Sequence, residues 1–217
     1  MQWLQFLLWG VLTIWASRSA RRARLWSCVL CGGLIVSMGT QLWLLWEVGR
    51  FNVNTAVPLH LCAVMAVCSI PMLVFRSKVL HSFAILLGVP CALLALCFPA
   101  IADCARPVLM ASAFFRLHVI LFWAPVFLLF QGLPLPNNPR PVLLGAMGYM
   151  AVVSLFNLLF YTNYMFLRLA PAGTPLAWLA MNGTDVYVVS MVMVAMVMLS
   201  GLTWGFNRIR RMLPVSY

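Results

Sequence analysis

The residues of this chain best suited to chemistry are one cysteine and two histidines that stand in or beside long apolar segments. His60 and Cys62 come near the start of one such segment, and His118 lies deep in a later one. A cysteine thiolate is a nucleophile, and a nearby imidazole activates the thiol by accepting its proton. Cys62, His118 and His60 are therefore the candidate catalytic residues, and the chemistry they suggest is nucleophilic catalysis.

Helical geometry decides which histidine can serve Cys62. Residues two apart on a helix differ by roughly 200° around its axis, so His60 and Cys62 do not share a face. The base must then come from another segment, which favours His118. His60, near the positive end of a helix dipole, should be neutral, which suits a ligand or a base. Two alternatives stay open, namely that Cys62 packs as one of seven cysteines and that His118 makes a structural hydrogen bond.

The composition indicates that lipid surrounds most of the chain. Hydrophobic residues make up 65% and charged residues 8% of its 217 residues, and the mean hydropathy is +1.01. An average soluble chain is about 25% charged, so this chain has too few charges to cover its surface in water. Most of its apolar segments reach the roughly 20 residues that a helix needs to cross the hydrocarbon layer. The seven segments are residues 3–16, 26–46, 56–75, 79–98, 108–130, 141–161 and 186–206.

The cations stand mostly on alternate connections between these segments, and cytoplasmic loops are the ones enriched in Lys and Arg. The sequence therefore predicts an all-α polytopic membrane protein with seven transmembrane helices in a single domain, residues 1–217. Its N-terminus is outside and its C-terminus is cytoplasmic. The same rule accounts for the net charge of +11, so we expect no nucleic acid as a partner. The cations assigned to the cytoplasmic side are Arg18, Arg21, Arg22, Arg24, Arg76, Lys78, Arg140, Arg208, Arg210 and Arg211.

With this topology, the polar groups at membrane depth gather in the outer half of the bundle. Asn163 and Tyr164 end the sixth segment, and Asp185 begins the seventh. Arg116 lies near the outer end of the fifth segment. Polar residues at such depth usually face the bundle interior or a wet cavity. These four residues are the candidate substrate-binding residues, and we expect them to line a pocket that opens to the outer leaflet together with His118.

The chain has no pattern that suggests a metal, a cofactor or a phosphate-binding loop. Cys28 and Cys31 have the CxxC spacing, but they lie within an apolar segment without a second pair of zinc ligands. The acidic residues are Glu47, Asp103 and Asp185, and none of them is in the middle of a segment. We therefore expect neither a metal nor a cofactor, and no carboxylate pathway for protons across the membrane.

Three stretches of the chain, taken together, resemble a known family. They are Pro58-Leu59-His60-Leu61-Cys62, Phe115-Arg116-Leu117-His118, and residues 162–168 followed by 171–176. Their order, spacing and topology resemble the YwaF-like integral membrane proteins of bacteria. These are grouped with a eukaryotic family of transmembrane cysteine acyltransferases that act on ether phospholipids. The resemblance extends over about residues 32–206.

The resemblance implies acyl transfer on membrane lipids by a cysteine at a helix start and a histidine in a later span. His118 matches that histidine, and whether Cys62 replaces the family nucleophile stays open. The expected substrate is a phospholipid or lysophospholipid, and the expected location is a bacterial plasma (inner) membrane. The alternative function is lipid or ligand binding without turnover, alone or as the membrane subunit of a larger assembly. A transporter would need polar residues in the inner half, where the sequence has few.

Overall fold

The regular structure of the described chain is helical. A computed structural model describes residues 2–102, 104–170, 174–181 and 183–212; Asp103 and residues 171–173 of the third resembling stretch lie outside this part. A π-helical turn, Ala84–Gly88, joins α4 to α5, and a 3-10 turn, Tyr164–Phe166, follows α7. The helices are α1 (Gln2–Ser17), α2 (Ala20–Glu47), α3 (Leu61–Phe75), α4 (Lys78–Phe83), α5 (Val89–Cys97), α6 (Pro107–Phe130), α7 (Arg140–Phe160), α8 (Pro175–Ala180) and α9 (Thr184–Met212).

The long helices overlap the apolar segments read from the sequence. Five of them are long and apolar enough to cross a membrane, namely α2, the α4–α5 segment (Lys78–Cys97), α6, α7 and Asp185–Gly205 of α9. The apolar helices α1 and α3 are shorter. An all-helical polytopic membrane protein is therefore confirmed, whereas seven crossings and the orientation of the termini stay predictions.

The prediction that a helix covers residues 56–75 is wrong at its start. α3 begins at Leu61, and His60 has extended backbone (φ −66°, ψ 139°) at the N-cap position. Residues 52–56 form turns before it. A proline disfavours helical backbone in the residue before it, so the chain enters the helix only after Pro58. Cys62 is consequently the second residue of α3.

Most of the arginines that the sequence analysis placed in the connection between the first two segments belong to a helix instead. Arg21, Arg22 and Arg24 belong to α2, which begins directly after the extended N-cap residue Ser19. The guanidinium of Arg22 lies 4.6 Å from the centre of the Trp15 ring in α1. The connection between α1 and α2 is therefore shorter than the sequence predicts, and its cations are carried by the first turns of α2.

A proline accounts for the π-helical turn in the fourth apolar segment. Pro90 has no N–H to donate, and the N–H of Val89 reaches back to the carbonyl of Ala84, five residues earlier. The wider turn keeps α4 and α5 in one continuous segment although a helical hydrogen bond is missing. This continuity fixes the level at which α5 presents its side chains.

The sequence predicts one membrane domain, and the contacts divide the chain into two compact units, Met1–Pro134 and Leu135–Tyr217, which are described separately. In the first unit, α6 packs against α1, α2, α3 and the α4–α5 segment. α6 is therefore the central helix of this unit. Fully buried core side chains of the first unit include Leu30, Leu34, Met72, Leu86, Ile120, Leu121, Phe127 and Leu128.

In the second unit, Asn157 organises the turn that follows α7. Its Oδ1 accepts hydrogen bonds from the hydroxyl of Thr162 (2.6 Å) and the N–H of Tyr164 (2.8 Å). Its Nδ2 donates to the carbonyl of Tyr164 (2.9 Å). Tyr161 ends α7 in left-handed backbone with φ 53°. The connection between α7 and α9 thus contains an ordered turn and the short helix α8.

Candidate functional site

α6 and the α4–α5 segment run antiparallel in the first unit, and two contacts fix their register. In α4, Nε2 of His81 lies 3.0 Å from the carbonyl oxygen of Pro125. Near the end of α5, Leu96 belongs to the same buried cluster as Phe115. The residues of the π-helical turn and of α5 therefore lie at the level of α6 residues between Phe115 and Pro125.

α3 joins this pair of helices at Gly88. A Cβ on Gly88 would lie 3.8 Å from Cβ of Met65 in α3 and 3.8 Å from Cδ1 of Leu121 in α6. Residues three apart on a helix lie on nearly the same face. A second set of three residues therefore lies one helical turn away from this contact. The turn runs toward the start of α3 and of α6 and toward the end of α5, so the three residues are at a common level. These residues are Cys62, Cys91 and His118.

The thiols of Cys62 and Cys91 lie close to each other. Both are free thiols, and both residues are partly exposed. Sequence reasoning missed Cys91, because neither its spacing nor its neighbours distinguish it from the other cysteines of the chain. A helical-wheel comparison cannot find it either, since the contact depends on how α3 packs against α5.

His118 is held in the tautomer that a general base requires. Its ring is buried, and its Nδ1 lies 2.7 Å from the carbonyl oxygen of Phe114. The centres of the His118 and Phe114 rings are 4.1 Å apart. A carbonyl can only accept, so Nδ1 carries the proton and Nε2 of the neutral ring keeps its lone pair. Among the described residues, Nε2 has no hydrogen-bond partner. His118 and Cys62 share a level, but no hydrogen bond joins them in the described structure.

The start of α3 surrounds Cys62 with backbone amides. The first hydrogen bonds of the helix run from the N–H groups of Ala63 (2.9 Å) and Val64 (3.1 Å) to the carbonyl of His60. The N–H groups of Leu61 and Cys62 come before these bonds, and the side chain of His60 does not cap them. The N–H of Cys62 is within hydrogen-bonding reach of its own sulfur. Amides at a helix start attract negative charge, so they are suited to stabilise an oxyanion that forms at this point.

His60 lies directly before α3, outside the helix, and this position indicates a supporting role. Its backbone carbonyl accepts the first helical hydrogen bonds, as described above. Burial lowers the pKa of His60 below its ordinary value, so the ring is neutral near neutral pH, as the sequence predicts. The prediction attributed the neutral state to the helix dipole, whereas the larger cause in the structure is desolvation.

Arg116 faces a different neighbour from His118. Its Nε donates to Oγ of Ser37 in α2, at 2.8 Å, and Ser37 is fully buried. Arg116 stands two positions before His118, on nearly the opposite side of α6. The guanidinium of Arg116 therefore faces α2 and does not face Cys62. The spacing in the sequence predicts that Arg116 and His118 face opposite sides of α6, but it does not identify Ser37 as the partner of Arg116.

The remaining predicted binding residues belong to the second unit. The side chain of Asn163 is engaged with its own loop, because its Oδ1 accepts from the N–H groups of Arg168 and Leu169, each at 3.0 Å. Tyr164 is buried, and Asp185 is exposed in the first turn of α9. A common pocket of these residues with His118 stays a prediction.

The described residues contain no group of three or more His, Cys, Asp or Glu side chains that could hold a metal ion. Cys28 and Cys31 lie together on α2 without further candidate ligands in this part of the chain. The chemistry available at the common level of α3, α5 and α6 is therefore that of two thiols, one imidazole and the amides of a helix start.

An apolar cleft also lies in the first unit, at a different place from the candidate residues. It contains no candidate catalytic or binding residue. The predicted pocket is therefore not this cleft. Its lining residues are Trp3, Phe6, Leu96 and Phe115.

Comparison with known families gives a match that spans residues 2–203 and includes every candidate residue. The chain belongs to the TMEM164 family. This is the family to which the eukaryotic part of the resemblance refers, so that part is confirmed, whereas kinship with the bacterial YwaF-like proteins stays a prediction. No curated protein and no solved structure matches the chain.

Membership of the family agrees with the apolar helices of the structure. Together they establish an integral membrane protein with several membrane-spanning helices. The activity and the membrane in which the protein resides are matters for proposal.

Proposed function

We propose that the chain is a membrane-embedded lipid acyltransferase or acyl hydrolase that works through a thioester on Cys62. The observation that carries the proposal is the common level of Cys62 and His118, with the lone pair of His118 Nε2 left available. Nucleophilic catalysis requires a thiol and an imidazole with a free lone pair, and the helices bring these two groups to the same level.

In the first half of the reaction, Nε2 of His118 accepts the proton of the Cys62 thiol, directly or through a water molecule. The sulfur attacks the carbonyl carbon of a phospholipid ester and forms a tetrahedral oxyanion. The ester C–O bond then breaks, and the lysophospholipid oxygen takes the proton back from His118. The product at the protein is an acyl thioester on Cys62.

In the second half, the hydroxyl of an acceptor attacks this thioester, and His118 again takes the proton. A lysophospholipid acceptor gives acyl transfer, and water gives hydrolysis. The thiol of Cys62 is regenerated in both cases. The depth of the site among apolar helices favours the lipid acceptor, since access of water is limited there.

The backbone amides of Leu61 and Cys62 are suited to stabilise the oxyanion. They precede the first hydrogen bonds of α3, and the side chain of His60 leaves them uncapped. Preorganised N–H donors of this kind are worth about 10²–10³-fold in rate when they face the developing charge. His60 supports the same region by accepting the first helical hydrogen bonds.

We assign binding of the lipid head group to the other candidate residues. Arg116 faces α2, on the side of α6 away from His118, and one of its N–H groups is used by Ser37, so its remaining donors can bind a phosphate only on that side. Asn163, Tyr164 and Asp185 stay proposed lipid-binding residues of the second unit. Membrane lipids are thus the proposed partners.

We further propose seven crossings, with the N-terminus outside and the C-terminus in the cytoplasm of a bacterial cell, in its plasma membrane. The alternation of cations along the chain supports this orientation. Fusions of green fluorescent protein and alkaline phosphatase to the C-terminus test it in a bacterial host. Fluorescence without phosphatase activity is expected, and the reverse pattern overturns the orientation.

The activity is tested with the purified protein in liposomes of defined phospholipids with isotope-labelled acyl chains. Labelled acyl groups are expected to move to unlabelled lysophospholipid or to water. Cys62→Ala should abolish the transfer, and His118→Ala should slow it by about 10²–10⁴-fold, the usual contribution of a general base. Cys68→Ala, also on α3, is the matched control and should leave the rate unchanged. Transfer that persists in Cys62→Ala and His118→Ala ends the proposal.

A thiol-directed lipid ester probe separates catalysis from binding without turnover. Selective labelling of Cys62 over the other cysteines is the result expected of an activated nucleophile. Slow and equal labelling of all seven cysteines, together with no label exchange, favours a lipid-binding protein instead.

A further inference from the structure

We propose that Cys62 and Cys91 form a disulfide when a membrane-soluble hydroperoxide reaches them, which makes this pair an oxidation site. The contact between these two cysteines joins α3 to α5. The two thiols lie close to each other. The packing of Met65 against Gly88, one turn away on both helices, independently fixes the same register.

The other close pair of cysteines does not have this geometry. Cys28 and Cys31 lie three positions apart on the continuous helix α2. Cβ atoms at that spacing are about 5–6 Å apart, which exceeds the roughly 3.5–4.5 Å that a disulfide spans. Cys62 and Cys91 lie on separate helices, and their thiols are already close to each other.

The position of the pair selects the oxidant. Both residues are partly exposed, but their thiol groups are buried, so the reagent must be small and must enter between the helices. They lie on helices whose outer surfaces are apolar, with Val67 of α3 and Leu94 of α5 exposed. A reagent that approaches through this surface must dissolve in hydrocarbon. A hydroperoxide on a lipid acyl chain has that property and carries the oxidising O–O bond to the thiols.

The reaction balances in two steps. The sulfur of Cys62 attacks the terminal oxygen of the hydroperoxide, the O–O bond breaks, and the alkoxide leaves as an alcohol after taking the thiol proton. Cys62 is then a sulfenic acid. The sulfur of Cys91 attacks that sulfenic sulfur, the S–O bond breaks, and the hydroxide leaves as water with the Cys91 proton. The two thiols are oxidised by two electrons, and the hydroperoxide is reduced to alcohol and water.

One consequence depends on the proposed function. If Cys62 is the acyl-transfer nucleophile, then the disulfide removes it from the reaction until a reductant restores it. Oxidation would therefore switch off acyl transfer reversibly. The disulfide itself is independent of whether the protein is an enzyme.

The test uses the full chain in phosphatidylcholine nanodiscs, treated with cumene hydroperoxide and then with an alkylating reagent. Peptide mapping by mass spectrometry should find a linked peptide pair containing Cys62 and Cys91, with the loss of two hydrogens. Cys91→Ser should abolish the link and leave Cys62 as a sulfenic acid that dimedone traps. Cys97→Ser, at the end of the same helix, is the matched control and should retain the link.

Two results overturn the proposal. One is oxidation of the exposed Cys28 and Cys97 without any Cys62–Cys91 link in the wild-type protein. The other is a link that joins Cys62 to a cysteine other than Cys91. Because the wild-type protein is measured directly, a variant that fails to fold does not affect the outcome.

Acyl transfer measured on the same samples separates this proposal from the proposed function. A link with no transfer in the reduced protein contradicts the function alone. Transfer that continues in the reduced protein without any link after oxidation contradicts the disulfide alone. If both are correct, transfer is lost on oxidation and returns after treatment with a phosphine.

Discussion

The carbonyl oxygen of Phe114 accepts a hydrogen bond from Nδ1 of His118 at 2.7 Å, one helical turn away on α6. Because the acceptor is a backbone group four residues earlier, the helix itself sets the tautomer of the ring. This relationship gives His118 an unprotonated Nε2 without any further polar side chain. The central helix of the first unit thus supports its core and also prepares the ring for proton transfer.

The tautomer of His118 is the first prediction. In protein labelled with 15N-histidine and reconstituted in lipid, solid-state NMR should find Nδ1 of His118 protonated and Nε2 unprotonated at neutral pH. Phe114→Leu should keep this tautomer, since the acceptor is the backbone carbonyl. His81 is the internal comparison, because its Nε2 bonds the carbonyl of Pro125 and should carry the proton. A protonated Nε2 on neutral His118 would contradict its role as a base.

A close approach of α1 to α6 is the basis of the second prediction. A Cβ on Gly10 would lie 2.5 Å from Cζ2 and 2.8 Å from Cη2 of Trp123. This indole is rigid, and its Nε1 donates to the carbonyl of Phe6 at 3.0 Å, so it cannot easily move. Gly10→Ala should therefore destabilise the protein by about 1–3 kcal/mol, the usual cost of overpacking.

Gly39→Ala is the control for that substitution, because nothing lies within 4 Å of the position of its Cβ. Unfolding in detergent, followed by temperature or denaturant, measures both variants. Equal stability of the two variants would contradict the close packing of Gly10 on Trp123.

The third prediction concerns the bond between Arg116 and Ser37. Ser37→Ala removes the hydroxyl that accepts from the guanidinium and leaves a cation among apolar helices without this partner. Hydrogen bonds to charged groups are worth about 1.5–3 kcal/mol, so we expect a loss of that order in the free energy of unfolding. Thr40→Ala, on the same helix, is the control, since its exposed hydroxyl bonds only the carbonyl of Val36. Similar small losses in both variants would refute the partnership.

The fourth prediction concerns the turn after α7. Asn157→Ala removes three hydrogen bonds that its amide makes with Thr162 and Tyr164. Buried groups left unpaired cost about 1–3 kcal/mol each, so the turn should open. Hydrogen exchange of the amides of residues 162–167 should speed up strongly in this variant. Asn138→Ala, whose side chain bonds an exposed backbone N–H, should leave that exchange unchanged.

Some errors of the sequence-based prediction have a local cause. Residues 56–60 are apolar enough to continue a helix, yet α3 begins only at Leu61, because turn formation and Pro58 oppose helical backbone there. Arg21, Arg22 and Arg24 read as a connection because they are charged, yet a helix continues past a membrane boundary whenever its backbone bonds are satisfied. Polarity thus marks where lipid ends and does not mark where a helix ends.

The sequence by itself determined that the protein is helical and membrane-embedded, and it located the long apolar helices, although not all of their ends. The physical reason is that hydrocarbon offers no hydrogen bonds, so an apolar run long enough to enter it must satisfy its backbone internally. Only the tertiary structure decided which helices meet and in what register. It brought Cys91 to Cys62, aligned His118 with them, and turned Arg116 toward Ser37. Apolar side chains carry no directional signal along the sequence, and their packing is settled by shape in three dimensions.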